Sequence, residues 1–294
     1  MQQILVLLNP AAGTKRAGPL LASMLDVFCK AGFEPVVRTT QKSGDGVSIA
    51  AEYAEKVARI VCIGGDGTFN EVVSGVLQSG HPTPIGYIPA GSTNDFAASL
   101  GLPHDLMQAV QIAAGETLQA FDVGRFGDRY FTYVASFGAF TQVSYETDQN
   151  VKNVLGHLAY VLGAAASLPA IHPLHAVLTT DTGETLEGDY LFGAVSNSTS
   201  MGGVLTLDKQ LVNMRDGEFE LLLVKNPTNA IDLGECIRAL LAQDYSSTML
   251  ELRQVRSLSV AVDTDWTLDG EFAAGSETVD ITVLPKAVQI LTKP

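Results

Sequence analysis

The sequence predicts an α/β protein in two domains, residues 1–124 built on a parallel sheet and residues 125–294 on mostly antiparallel strands. Length is the first reason: 294 residues exceed the roughly 100–200 that one domain usually takes. The second is alternation. Short apolar runs alternate with helix-length segments through the first part, and strands separated by helices pair in parallel. The third is a change after Gly124, where apolar runs follow one another with turn signals such as DTGE, RDGE and LDGE between them.

In order, residues 4–8 read as a buried strand, and the loop NPAAGTKRAG leads into a helix over 19–31. A strand over 34–39 precedes a helix over 47–56, and a strand over 59–63 runs through GGDGT into a helix over 69–78. A strand over 85–88 runs through PAGSTND into a short helix over 96–100. A helix over 105–114 and a strand over 120–123 complete the first part. Beyond it, 130–136, 175–180, 190–196, 218–224, 258–262 and 279–284 read as strands, with helices near 154–168 and 230–242. Asp-Gly between apolar runs signals a hairpin, and both RDGE and LDGE carry it.

Composition excludes several functions. Hydrophobic residues make up 46% and charged residues 17%, enough for packed cores and unlike a disordered chain. A net charge of −14 argues against nucleic-acid binding and against wholesale attraction to an anionic membrane. Cys29, Cys62 and Cys236 are too few and too scattered for a disulfide framework or a zinc site, which fits a reducing, cytoplasmic setting. The start, MQQILVLLNP, lacks a basic region and a cleavage-like site, so it is expected to be a strand rather than a signal peptide. The apolar stretch 154–171 holds His157, two glycines and Pro169, and is read as a helix of a soluble protein. No Gly-Lys dipeptide, no GxGxxG after a strand and no GxSxG occurs, and the five histidines show no ligand spacing.

The chemistry concentrates in loops. Gly64-Gly65-Asp66-Gly67-Thr68 lies where a strand ends and a helix starts. Glycines let the backbone approach a phosphate closely, and the helix adds free N–H groups and a positive dipole end. Asp66 supplies a carboxylate able to hold Mg²⁺ directly or through water. Thr68 and Glu71 also match a T-x-x-E capping box, which explains those two residues but not three glycines around an acid. A second strand-end loop, Pro89 to Asp95, should reach the same crevice, because loops at the C-terminal ends of parallel strands converge. Asp95 would there join Asp66, although Asn94 and Asp95 also suit a helix cap. Asn9-Pro10 with Gly13 forms a third, weaker loop.

Six motifs in one order, NPAAG, GGDGTFNEVVSG, PAGSTNDFA, FDVG, RDGEFE and LDGE, resemble the diacylglycerol kinase catalytic-domain family. Its bacterial soluble lipid kinases are the nearest in pattern, and sphingosine and ceramide kinases are similar. The resemblance implies a Rossmann-like nucleotide-binding domain, as in NAD kinases, a β-sandwich lipid-substrate domain and an active site in the cleft between them. ATP would lie against Asn9, Gly13, Thr40 (or its neighbour Thr39), Gly65, Asp66, Gly67, Thr68 and Asn70, with Ser92, Asn94 and Asp95 alongside. Ser92 stands where the family usually has Thr, and Ala12 departs from the commoner N-P-x-S-G loop. Asp66, Asp95 and Asp122 would surround the catalytic Mg²⁺. Asp269 or Glu271, with Glu271 preferred, would be the general base. Asp216 would anchor a structural Mg²⁺ with main-chain oxygens of Asn213 and Glu218. The acceptor would be a lipid hydroxyl, of diacylglycerol or a related lipid, met at a membrane surface, with peripheral association and a homodimer as further implications.

Two other readings share parts of this pattern. A kinase of a soluble substrate, of the NAD kinase or phosphofructokinase type, shares GGDGT but not PAGSTND, RDGE and LDGE. A non-catalytic nucleotide or lipid sensor would not need every expected acid to be present, as they are here.

Overall fold

The computed structural model describes residues 1–13, 15–138, 173–201, 205–208 and 210–294. The apolar stretch 154–171, with the helix expected near 154–168, lies outside them. The chain divides into two compact units, Met1–Val123 with Pro285–Pro294, and Gly124–Leu284.

The first unit holds β1 (Gln2–Leu8), α1 (Ala17–Lys30), β2 (Phe33–Thr39), α2 (Asp45–Tyr53), β3 (Ile60–Gly64), α3 (Asp66–Ser79), β4 (Ile85–Pro89), α4 (Asp95–Ser99) and α5 (Leu106–Ala114). The strands pair in parallel in the order β2-β1-β3-β4, as strand–helix alternation requires. All four are short apolar runs, and β1, β3 and β4 are buried along most or all of their length, as strands covered on both faces should be. One face is covered by α1 and α5. Met24 and Phe28 of α1 and Ala109, Val110 and Ala113 of α5 are sealed against Ile4, Val6, Val61 and Ile88. Burying a side chain such as Phe28 stabilises the fold by about 1.5–3 kcal/mol. Elsewhere α2 and α3 cross closely at Gly75, where a Cβ would stand 2.4 Å from the Val47 carbonyl oxygen and 2.7 Å from Ala50 Cβ.

Two strands carry the chain between the units: β5 (Leu118–Phe126) leads out of the first unit, and β17 (Val279–Leu291) leads back. This corrects the expected division. Residues 285–294, grouped with the second domain from sequence, belong to the first unit, where Ile290 pairs in parallel with Ile85 of β4.

The second unit is β-rich and antiparallel. Its further elements are β6 (Arg129–Phe131), β7 (Val134–Gly138), β8 (Leu174–Thr180), β9 (Thr185–Ser196), β10 (Ser200–Met201), β11 (Leu205–Thr206), β12 (Phe219–Lys225), α6 (Ala230–Ala242), β13 (Leu250–Val255), β14 (Ser257–Val262), β15 (Trp266–Leu268) and β16 (Glu271–Ala273). Strand β9 ties the layers together: its first half pairs with β8, its second with β7 and β12. The core between them holds Trp266, its ring 5.0 Å from Phe126 and 4.8 Å from Phe137, and Phe131 edge-on to Phe219 at 5.7 Å. The strand expected over 130–136 is two strands, broken at Thr132 and Tyr133.

Candidate active site

Register brings four strand ends of the first unit to one edge. Leu8 stands opposite both Thr39 and Ile63, Ile63 opposite Ile88, and Gly64 opposite Pro89. The loops that follow are clamped to one another by backbone. Asn9 donates its amide to Ile63 O at 2.9 Å, Thr40 to Leu8 O at 3.0 Å and Ala90 to Gly64 O at 2.8 Å. Gly13, at φ +49°, lies so close to the second loop that a Cβ would stand 2.4 Å from Ala90 O. Gly91 and Gly65 are equally tight: a Cβ on Gly91 would be 2.6 Å from Gly65 Cα. Glycines of three loops therefore meet without intervening side chains.

Side chains lock this arrangement. Asn9 Nδ2 donates to Thr68 Oγ1 at 2.9 Å, while Asn9 Oδ1 accepts from Ala11 N at 3.0 Å. Asn94, in the left-handed region at φ +56°, folds its amide onto Gly91, accepting from Gly91 N and donating to Gly91 O, both at 2.9 Å. Asp66 Oδ2 accepts from Asp95 N at 2.9 Å, and Oδ1 accepts from Phe96 N at 3.3 Å and from the Tyr87 hydroxyl at 3.1 Å. Asp66 thus caps α4, and the ring of Tyr87 stacks on Phe69, 4.4 Å away. Asp95 is buried, Ser92 is exposed, and Asn70 accepts from Ser74 Oγ at 3.3 Å.

The capping box expected from Thr68 and Glu71 does not form. Helix α3 starts at Asp66 behind Gly65, which has no side chain to cap it. Thr68 Oγ1 is engaged by Asn9, and Glu71 reaches away to α2, accepting from Gly44 N at 2.7 Å and Gly46 N at 2.8 Å. Donors at the starts of α2 and α4 are therefore occupied by the carboxylates of Glu71 and Asp66, whereas the N-cap residue of α3 is a glycine.

Asp122, on β5, is 1% exposed and accepts from Lys286 N of β17 at 2.6 Å. Among the described residues, no three His, Cys, Asp or Glu side chains converge to hold a metal directly.

In the second unit LDGE forms the turn of the β15–β16 hairpin, with Asp269 at φ +50° and Gly270 at φ +83°. Asp269 is buried. Its Oδ2 accepts from Thr132 N at 2.6 Å and Thr132 Oγ1 at 2.8 Å, and its Oδ1 from Tyr133 N at 2.9 Å and Val134 N at 3.0 Å. These bonds account for the break between β6 and β7, because the amides there serve Asp269. Burial pushes the Asp269 carboxyl pKa up, against the pull of those donors. Glu271, two residues on, is exposed. RDGE, by contrast, is no hairpin turn. Asp216 Oδ1 accepts from Glu218 N at 3.1 Å, Gly217 sits at φ +82°, and Asn213 O accepts from Arg215 N at 2.7 Å. The Glu218 carboxylate pairs with Arg256 at 2.9 Å.

Glycine backbone beside a helix start, flanked by carboxylates, is an arrangement chemically suited to phosphate esters. The family model for the diacylglycerol kinase catalytic domain matches residues 3–126. The chain is 31% identical over 271 residues to a diacylglycerol kinase of Staphylococcus saprophyticus, covering 91% of this chain and 88% of that protein. It is 30% identical over 276 residues to one of Bacillus subtilis, covering 92% and 90%. A crystal structure of a diacylglycerol kinase from Bacillus anthracis superposes with a TM-score of 0.77 at 21% identity, covering 100% of this chain and 97% of that one. A second structure from that organism reaches 0.83 at 22% identity, covering 100% and 96%. The chain belongs to the diacylglycerol kinase catalytic-domain family, and so to the ATP-dependent kinases that phosphorylate a lipid hydroxyl.

Proposed function

We propose that this kinase transfers the γ-phosphate of ATP to the hydroxyl of diacylglycerol or a closely related lipid, with Mg²⁺ as the metal. The observation that carries the phosphate side of this reading is the start of α3. It follows the Gly64-Gly65 turn, and its N-cap residue, Gly65, has no side chain to stand between the helix start and a ligand. Its first-turn N–H groups and dipole favour an anion.

Asn9, Gly13, Thr40, Gly65, Gly67, Thr68, Asn70, Ser92 and Asn94 would frame the nucleotide. A triphosphate beside Asp66 and Asp95 brings like charges together, which a divalent cation relieves. The oxygen-only donor set of Asp66, Asp95 and Asp122 suits Mg²⁺, which keeps much of its water shell and leans on substrate phosphates. The Asp66 oxygens already accept three protein hydrogen bonds, so water-mediated contact fits them better than direct ligation. When bound, the ion would offset the charge that builds on the transferring phosphoryl group. Asp216, with the main-chain oxygens of Asn213 and Glu218, would hold a second ion of structural role. Glu271 would accept the proton of the lipid hydroxyl. Asp269 is unsuited to that part, being buried with four donors on its two oxygens. A homodimer and peripheral association with a membrane belong to the same proposal. No helix among the described residues is long and apolar enough to cross a membrane.

The test is to incubate the purified protein with γ-labelled ATP, Mg²⁺ and mixed micelles of diacylglycerol, and in parallel with a total lipid extract. The expected result is a labelled band with the mobility of the monophosphorylated lipid, absent for Glu271→Gln. Label appearing on NAD or a sugar phosphate, and on no lipid, would overturn the reading.

A further inference from the structure

We infer that Glu71 is a positioning residue for nucleotide binding, acting through the segment that carries Thr40. The inference rests on the nucleotide reading of the first unit's loops.

Thr40 follows directly on β2, its amide given to Leu8 O, and it is buried. The four residues after it, Gln41 to Gly44, turn the chain into α2, and four of the six amides from Gln41 to Gly46 are taken by two carboxylates. Asp45 Oδ2 accepts from Gln41 N at 2.8 Å and Lys42 N at 3.0 Å. Glu71 accepts from Gly44 N and Gly46 N, one on each oxygen, and Ser43 Oγ lies 3.4 Å from Oε1. Asp45 belongs to the segment itself, so it shapes the turn without placing it. Glu71 belongs to α3, 25 residues further on, and fixes the turn against the helix whose start carries the proposed phosphate site.

The contact is built tightly. A Cβ on Gly46 would stand 2.5 Å from Glu71 Oε2 and 2.8 Å from Glu71 Cβ, so only glycine admits the carboxylate there. Gly44, at φ +85°, supplies the left-handed turn that aims its amide at the same group. Charge-assisted N–H···O⁻ bonds are shorter and about twice as strong as neutral ones. Two of them on one carboxylate set the spacing between the segment bearing Thr40 and the start of α3. Glu71 has a second consequence: by capping α2 it removes a competing anion site one helix away from the intended one.

The experiment measures ATP affinity calorimetrically, with Mg²⁺ and without lipid, for the wild type, Glu71→Gln and Glu71→Ala. Steady-state kinetics with diacylglycerol micelles follow, and thermal melts establish that each variant is folded. Glu71→Ala is expected to weaken ATP binding and raise the KM for ATP about tenfold, with kcat at saturating ATP little changed. Glu71→Gln keeps one acceptor oxygen and should recover part of this, to within about threefold of wild type. ATP affinity unchanged in folded Glu71→Ala, or kcat lost at unchanged KM, overturns the inference. If Glu71→Ala does not fold, Glu71→Gln decides by the same split. A wild type that binds no ATP refutes the nucleotide reading itself, and the inference with it.

Discussion

The carboxylate of Asp269 accepts both the amide and the hydroxyl of Thr132, at 2.6 and 2.8 Å, across 137 residues of chain. With the amides of Tyr133 and Val134 on its other oxygen, Asp269 fastens the β15–β16 turn to the break between β6 and β7. Two acids of one motif thereby take different parts: Asp269 holds the turn, and Glu271 is left exposed on it.

The separation predicts opposite signatures. Asp269→Ala strands three backbone amides and should cost about 3–5 kcal/mol of stability. Glu271→Gln should leave stability within about 0.5 kcal/mol and lower kcat by a factor on the order of 10²–10⁴. Urea unfolding and single-turnover labelling of lipid read the two effects independently. A stable, inactive Asp269→Asn beside an active Glu271→Gln would reverse the roles.

Tyr87→Phe isolates one hydrogen bond to Asp66. The ring is buried and stacked on Phe69, which packs 5.3 Å from Phe96, and Phe keeps that packing. The variant should lose about 0.5–1.5 kcal/mol. If Asp66 acts on the metal, the Mg²⁺ concentration giving half-maximal rate should shift while the KM for lipid holds. A Mg²⁺ profile superimposable on wild type would remove Tyr87 from the site.

The sequence made the first unit largely legible, because its signals are local. Alternating apolar runs and strand-end glycines placed β1 to β4 and α1 to α5 to within a few residues of their observed ends. Helix α6 was equally visible, with Asn229 accepting from Ile231 N and Asp232 N at its start. What local pattern misses is the distant partner. T-x-x-E at Thr68 and Glu71 looks like a cap, yet the donors Glu71 serves lie 25 and 27 residues away. Strand β13, LELRQV, alternates with charges and shows as a strand only when paired with β12. RDGE and LDGE read alike, but only LDGE has a strand on each side to make a hairpin. The return of residues 285–294 to the first unit depends on β4, some 200 positions earlier, and no periodicity announces it.

Gly13→Ala tests the backbone clamp. The residue sits at φ +49°, and a Cβ would enter the Ala90 and Gly91 peptide at 2.4 to 3.1 Å. Both the left-handed conformation and the clash oppose alanine, so the cost should be about 2–4 kcal/mol. The loop can instead yield, in which case stability is preserved and the KM for ATP rises. Unchanged stability together with unchanged KM would show that the contact does not matter.

Glu220 supplies a pH test. It lies on β12, 1% exposed, with Gln254 opposite on β13 as its neighbouring polar side chain. Burial first, with the nearby charges of Asp216 and Glu218 adding and hydrogen bonding to its own backbone and to Gln254 opposing, pushes its pKa from 4.5 up to about 8. The folded state therefore holds this proton more tightly than the unfolded chain. Stability from this group is fully present below pH 4.5, falls as pH rises, and is lost once pH passes about 8. Glu220→Gln cannot ionise and escapes the penalty. It should match wild type near pH 5 and exceed it at pH 9 by on the order of 2 kcal/mol or more. Urea midpoints of both proteins across that range give the difference directly, with other titrating groups cancelling. A gap that stays constant with pH would mean that Glu220 is already charged in the folded protein and finds a partner there.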